Sequence, residues 1–394
     1  MNQSFYIEVS CQQKNHEGER ICGDVFLSER IKEENRIIAV LSDGMGHGVK
    51  ANILATLTAT MALNFTKEHK DFNTIAEVIM NTLPVCSLRQ ISYSTFTIID
   101  IEIDGKVSIL EYDNPQTTIY RGNKKYEPEW KCIILDSKEN RGKELKSCTF
   151  YPEKGDRIIF SSDGIAQSGL GSKRFPFGWG NDNLTEFIME SLRKEPFISA
   201  RKLAKKVINV AVSNDNYHSK DDTSCASIYF REPRKLLLVT GPPYEKIKDI
   251  ELAMAVHRFE GKKILCGATT AEVVARELGL EIRDSFEFSD PDLPPLSFIN
   301  GINLVTEGIL TLSKVSRILQ EHDNNFDLGR GPADQIIDLI LKSDEISIII
   351  GTRINIAHQD PTLPVELEIR RTVVKRIARI LEEKFLKEVK TQFI

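Results

Sequence analysis

The sequence predicts a multi-domain α/β protein, with a layered α/β domain over residues 1–231 followed by a parallel-sheet α/β domain over residues 232–394. Three observations predict it. The chain has 394 residues, more than a single hydrophobic core usually organises. Its first part is a series of short apolar or alternating runs interleaved with segments of helical periodicity. Its last part alternates strand and helix, as a parallel sheet with flanking helices requires.

Taken in order, YIEVS at 6–10, RIIAVLSD at 36–43, YSTFTIIDIEID at 93–104 and KVSILEYD at 106–113 read as strands. So do TTIYRG at 117–122, KCIIL at 131–135, DRIIFSSDG at 156–164 and TSCASIYF at 223–230. Apolar residues at helical spacing predict helices over 48–65, 73–83, 185–193 and 198–212. The charged run REPRK at 231–235 ends one strand, and LLLVT begins another, so the boundary falls at Arg231. Beyond it, strands are expected at 236–240, 263–266 and 346–351, with helices at 247–257, 270–278, 332–341 and 365–389. No internal repeat or low-complexity tract interrupts the chain.

Hydrophobic residues make up 41% and charged residues 28% of the chain, the composition of a soluble globular protein. A net charge of only -5 gives no field that would draw it to nucleic acid or to an anionic membrane. The 7 cysteines are scattered singly, without zinc-site spacing or disulfide density, which points to reduced thiols in a cytosol. The N-terminus lacks a basic region followed by an apolar core, and no run approaches the roughly 18 apolar residues of a spanning helix. The expectation is a cytoplasmic protein.

The chemistry lies in acidic residues at strand ends. Aspartate is a poor strand former, so an apolar strand running into Asp-Gly sets a carboxylate at the rim of a sheet, where the chain turns. This occurs at Asp43-Gly44 and again at Asp163-Gly164. Asp24 follows Gly23, and Asp221 and Asp222 directly precede a strand. Each Asp-Gly alone is also an ordinary turn; the ordered set is what suggests a shared site. Hard cations such as Mg²⁺ and Mn²⁺ take oxygen ligands and keep several waters, so a few carboxylates and a carbonyl suffice for two ions. Two metals about 3.5–4 Å apart can hold a bridging hydroxide and clamp both oxygens of an in-line phosphoryl displacement.

With GD at 23–24, SDGMGHG at 42–48, STF at 94–96, SSDG at 161–164 and DDTS at 221–224, the chain resembles the type 2C metal-dependent protein phosphatases. It is most similar to their bacterial stage II sporulation protein E (SpoIIE) and sigma-factor-regulator branch, over about residues 5–230. That resemblance implies an α-β-β-α sandwich with two Mn²⁺ or Mg²⁺ ions between the sheets. It implies that Asp43 bridges both metals beside the Gly44 carbonyl, that Asp24 binds one, and that Asp163 and Asp221 bind the other. Asp43 and Asp24 are then the catalytic candidates, and Asp222 a supporting residue. It also implies a substrate: phosphoserine or phosphothreonine on a small regulatory protein such as an anti-sigma-factor antagonist.

Three features of the motif region stay open between a functional and a plain reading. His47 in its glycine-rich loop is either part of the site or a hydrogen-bonded structural residue. Arg20 is either a phosphate-gripping guanidinium or a surface residue out of register with the arginine of eukaryotic members. The helix after Asp43, without a strong polar face, is either a shifting regulatory element or a core helix, with Ala55 the position that would tell.

In the second domain, Gly267, Ala268, Thr269 and Thr270 lie between a strand and a helix, where amides and hydroxyls would suit an anion or simply form a capped turn. Gly241-Pro242-Pro243 and Thr306-Glu307-Gly308 end other strands in the same way, which favours one crevice at the strand ends. Neither GxGxxG nor GxxxxGK[ST] occurs. A sensory or small-ligand role is the expectation there. Ile369, Val373, Ile377, Leu381, Phe385 and Val389 recur at helical spacing, to pack a core or to form a homodimer interface. Two readings of the whole chain follow: an active phosphatase regulated by its second domain, or a scaffolding module whose phosphatase fold has lost turnover. The four acidic positions favour the first, since clustered carboxylates without metal repel one another.

Overall fold

A computed structural model describes residues 5–31, 33–68, 71–82, 94–102, 105–135, 140–285, 287–321, 328–353, 364–385 and 387–394, with side chains not described at 364–369. Of the predicted features, Leu83, Cys86, Tyr93, Ile103, Asp104 and the side chain of Ile369 lie outside these residues. The chain divides into two compact units, Met1–Glu232 and Pro233–Ile394.

The first unit contains, in chain order, β1 (Tyr6–Lys14), β2 (Asp24–Ile31), β3 (Arg36–Gly44), α1 (Gly48–Lys67), α2 (Phe72–Thr82), β4 (Ser94–Ile101), β5 (Val107–Tyr112), β6 (Thr118–Arg121), β7 (Lys124–Tyr126), β8 (Trp130–Ile134), β9 (Glu144–Phe150), β10 (Arg157–Ser161), α3 (Asp163–Gln167), α4 (Gly180–Lys194), α5 (Ala200–Asn214) and β11 (Thr223–Arg231). The strands form two antiparallel sheets, ordered β1-β11-β10-β6-β7 and β2-β3-β4-β5-β9-β8. Their side chains alternate between two faces, as pleated strands must. On β3, Ile37, Ala39 and Leu41 enter the core between the sheets, where they meet Ile158 and Phe160 of β10 and Ile228 and Phe230 of β11. Ile38 and Val40 point the other way, into a core closed by Ala59 and Ala62 of α1 and Ile75 and Ile79 of α2. On the outer face of the other sheet, Ile159 and Cys225 pack under α3, α4 and α5. The result is the α-β-β-α sandwich that the resemblance implied.

Helix α1 approaches its sheet through small residues: Gly48, Ala51, Ala55, Ala59 and Ala62 are its buried positions, with Thr58 and Thr66. Its other face is open, and Val49, Ile53 and Leu57 are exposed on it, so α1 is a half-buried helix rather than a largely buried one. Strands β2, β7 and β9 and the short helix α3 are additions to the elements expected from sequence.

The second unit contains β12 (Lys235–Thr240), α6 (Asp249–Arg258), β13 (Lys262–Cys266), α7 (Ala268–Leu278), β14 (Ile282–Asp284), β15 (Ser297–Ile299), β16 (Leu304–Thr306), α8 (Ile309–Glu321), α9 (Pro332–Leu341), β17 (Glu345–Ile350), α10 (Pro364–Glu383) and β18 (Glu388–Phe393). Its sheet runs β14-β15-β16-β13-β12-β17-β18. The five strands from β16 to β18 are parallel, and β14 and β15 add an antiparallel edge. Leu236 and Leu238 face α8, α9 and α10, while Leu237 and Val239 face α6 and α7, so both sheet faces are covered.

One expectation needs correcting. The C-terminal helix ends at Glu383 instead of 389, and residues 388–393 pair in parallel with β17 as β18. Of its six side chains, EVKTQF, five are exposed, on both faces of the strand, as suits a sheet edge that is wet on both sides. Val373, Ile377 and Leu381 of α10 are buried in the unit's own core, so the apolar stripe packs that core and is not a free dimer surface. Among the described residues, no helix is long and apolar enough to cross a membrane.

Candidate metal centre

Asp24 opens β2 and stands directly opposite Asp43 at the end of β3. β10 and β11 are antiparallel neighbours, with Ser161 opposite Cys225, so the end of one and the start of the other share an edge. That edge carries Asp163 just after β10 and Asp221 and Asp222 just before β11. Asp43 and Asp163, which stand at the ends of strands of different sheets, lie close enough for the charge of Asp163 to raise Asp43. The structure therefore brings Asp24, Asp43, Asp163 and Asp221 together at one end of the sandwich, between its sheets.

Two glycines permit this closeness. A Cβ on Gly44 would lie 2.0 Å from the Ala51 carbonyl oxygen of α1. A Cβ on Gly164 would lie 2.2 Å from the Asp222 carbonyl oxygen. Neither backbone contact can yield as a flexible side chain would, so each Asp-Gly pair does more than turn the chain.

Polar neighbours fix the acids. The Ser224 hydroxyl donates to Asp24 Oδ2 at 2.6 Å, and the Gln13 amide donates to Ser224 Oγ at 3.0 Å and to the Asp24 carbonyl at 3.2 Å. Ser162 Oγ accepts from the Ser224 N–H at 2.9 Å, tying the β10 and β11 ends together. Ser94 Oγ donates to the Asp43 carbonyl at 2.9 Å and lies 2.6 Å from Ser42 Oγ. Asp222 Oδ1 accepts from the His16 N–H at 2.9 Å. Ser94, Ser162 and Ser224 were visible in the motifs as letters without a role. Gln13 carried no signal, because its partner lies 211 residues away.

Burial dominates the electrostatics. It pushes Asp43 up to about 10, helped by the charges of Asp24, Asp163 and Asp221. Burial also lifts Asp24 to about 7, against the hydrogen bonds from Ser224 and Ser162. Asp221 rises to about 6 for the same reason, with the Asp163 charge adding and His16 opposing. Asp163 is raised as well, by burial first. Burial, full for Asp24 and partial for Asp43, Asp163 and Asp221, lifts all four acids, and carboxylates held so close make a strong site for positive charge.

The residues fit a divalent metal. The donor set is all oxygen, the choice of hard cations. Asp24 Oδ1 and Asp222 Oδ2 are buried without a hydrogen-bond partner, which costs free energy unless something binds them. Among the described residues, no three His, Cys, Asp or Glu side chains stand at mutual distances that would themselves enclose an ion.

The open features of the motif region also find places. The His47 ring donates through Nδ1–H to Glu19 Oε1 at 2.8 Å and stacks on His16 at 4.3 Å, so its partners are side chains rather than backbone. Arg20 is exposed in the connection between β1 and β2.

A family model described as "Stage II sporulation protein E (SpoIIE)" matches residues 33–231, half of the chain. The chain belongs to the SpoIIE family. Asp24 precedes the SpoIIE match and reaches the centre through the β2–β3 pairing. Among solved structures, this chain is similar to the PP2C phosphatase domain with a fragment of the regulatory domain of SpoIIE from Bacillus subtilis, at 16% identity and a TM-score of 0.47, covering 58% of this chain and 64% of that one. It is similar to the RsbU and RsbW domains of a Mycobacterium tuberculosis protein at 14% identity and a TM-score of 0.46, covering 64% and 67%. It is also similar to the catalytic domain of the serine threonine protein phosphatase PstP, solved with two manganese ions, at 11% identity and a TM-score of 0.39, covering 58% and 100%. No curated protein sequence matches the chain.

Proposed function

We propose that residues 1–231 are a metal-dependent phosphatase domain that removes phosphate from serine or threonine of a regulatory protein, such as an anti-sigma-factor antagonist, in the cytoplasm. The observation that carries this reading is the cluster Asp24, Asp43, Asp163 and Asp221, each lifted above the usual carboxylate range first by burial, with one buried oxygen of Asp24 left without a partner. Manganese or magnesium, two ions, is the cofactor that the donor set and the family both suit; when bound, such a pair lowers the pKa of water and offsets phosphate charge.

In this reading Asp43, with the Gly44 carbonyl beside it, and Asp24 lie nearest the reacting phosphate. Asp163 and Asp221 complete the donor set from the other sheet, with Asp222 in support. Ser224 acts as a positioning residue: its hydroxyl holds Asp24 Oδ2, leaving Oδ1 turned inward without a partner. Ser94 does the same for the Asp43 backbone and so for the carbonyl that follows it. Residues 232–394 form an accessory, ligand-sensing domain.

The test is Mn²⁺-dependent hydrolysis of a phosphoserine peptide and of p-nitrophenyl phosphate by the whole chain, beside Asp43→Asn and Asp163→Asn. Metal-dependent turnover that drops at least about 100-fold in both variants is expected, as each loses a direct donor where loss of even an outer partner costs about 10–100-fold. Turnover that survives both substitutions would overturn the assignment of Asp43 and Asp163 to the site, and none in the wild type across Mn²⁺ and Mg²⁺ would shift the reading to a scaffolding module.

A further inference from the structure

The second unit holds a cavity of about 490 Å³, within the range of roughly 300–1,000 Å³ typical of small-molecule sites. It opens at the carboxyl end of β16, between the start of α7 and the β14–β15 edge. Ala268, Thr306 and Glu307 place it at two of the three strand-end turns that the sequence singled out. The third turn is used structurally: the Gly241 N–H donates to Thr270 Oγ1 at 2.8 Å. Thr270 is thereby committed to joining β12 and α7, and the Gly267 N–H is committed to the Thr306 carbonyl at 2.8 Å. These bonds remove two of the groups that an anion would need.

The lining decides what the cavity would take. Its walls are apolar at Ile282, Leu296 and Val305, while Glu272, Asp284 and Glu307 each bring a carboxylate. No lysine, arginine or histidine is among its described lining residues. Asp284 accepts from the Ser297 hydroxyl at 2.7 Å, and Glu307 accepts from the Thr311 N–H at a long 3.3 Å. Elsewhere in the unit, acids are met by bases: Asp249 by Arg276 and Arg353, Asp290 by Lys314. The start of α7 contributes the opposite sign, but a helix N-terminus amounts to about half a positive charge. Three carboxylates outweigh it. An inorganic cation would satisfy the acids and leave the apolar walls without a use.

The geometry points to a binding site for an organic cation with a hydrocarbon frame, an aliphatic di- or polyamine, whose ammonium groups meet Glu272, Asp284 and Glu307 while its methylenes lie on Ile282, Leu296 and Val305. The site is separate from the carboxylate centre of the first unit, and its occupancy does not depend on the phosphatase reading.

Isothermal titration of the full chain, saturated with Mn²⁺, with cadaverine and with spermidine tests this, using 1,5-pentanediol as the uncharged counterpart of cadaverine. Saturable one-site binding of an amine and none of the diol is expected. Glu272→Gln combined with Glu307→Gln should weaken it at least about tenfold, the scale of one charge-assisted hydrogen bond. Both positions are at the rim of the unit, and an unchanged circular dichroism spectrum verifies the fold. Absence of saturable amine binding at millimolar concentration would overturn the assignment. So would equal binding by the double variant, which would locate the amine elsewhere, or equal binding of the diol, or complete displacement by equimolar Mg²⁺, which would mark a plain inorganic cation site.

Discussion

Glu111 on β5 is a buried acid outside the metal centre, and burial pushes it from 4.5 up to about 7. One of its oxygens accepts from the Thr117 N–H at 3.0 Å, and the other has no partner. Between those two pH values the folded protein keeps a proton that the unfolded chain releases. The stability from this group is therefore fully present below pH 4.5 and lost as pH rises through 7. Glu111→Gln keeps an oxygen for Thr117 and cannot ionise, so it should melt above wild type at pH 8, with the gap closing toward pH 4.5. Thermal melts across that range measure it; parallel profiles for the two proteins would refute it. At this scale the sequence shows candidates better than it shows their supports. Asp24, Asp43, Asp163 and Asp221 stand out because aspartate is foreign to an apolar strand, and the structure gathers all four at one end of the sandwich. Ser224 and Gln13 do not stand out: serine and glutamine are common, and their meeting with Asp24 exists only once distant strands have paired.

Strand β3 and helix α1 meet through Gly44, where an added methyl would fall 2.0 Å from the Ala51 carbonyl. Gly44→Ala should push α1 off the sheet at a cost of about 3 kcal/mol, the upper end of ordinary overpacking, because the obstacle is backbone. Urea unfolding reads the loss, and a midpoint equal to wild type would show that α1 yields freely. The elements that sequence revealed are those with a clean period. RIIAVLSD and DRIIFSSDG alternate or run apolar because both their faces are buried. β9, ELKSCTF, hides its strand character behind exposed polar residues. α8 was hidden differently: ILTLSKVSRILQE begins with an apolar cluster that reads as the tail of a strand, and only its later turns show helical spacing. The sequence of β18 merges with the preceding helix because Phe385 and Val389 continue its spacing, although the chain has by then left the helix.

Among the described residues, each unit has its own cores, three in the first and two in the second. Unfolding should therefore pass through two transitions, and Mn²⁺ should move only the one belonging to the first unit, by about 2.7 kcal/mol at one hundred times its dissociation constant. Differential scanning calorimetry with Mn²⁺ and with EDTA distinguishes this from a single transition, or from equal movement of both. The topology of the first unit also governs its birth. β1 is an edge strand whose pairing runs along β11, Tyr6 opposite Arg231 and Lys14 opposite Thr223. On a translating ribosome at about 5–20 residues per second, its partner follows roughly ten to forty seconds later. Through that interval YIEVSCQQK is an unpaired edge, and Asp24 waits for a Ser224 not yet made. On the proposed reading, competence to hold metal therefore arrives late in synthesis, because Asp221 and Ser224 are among the last residues of the unit to be made.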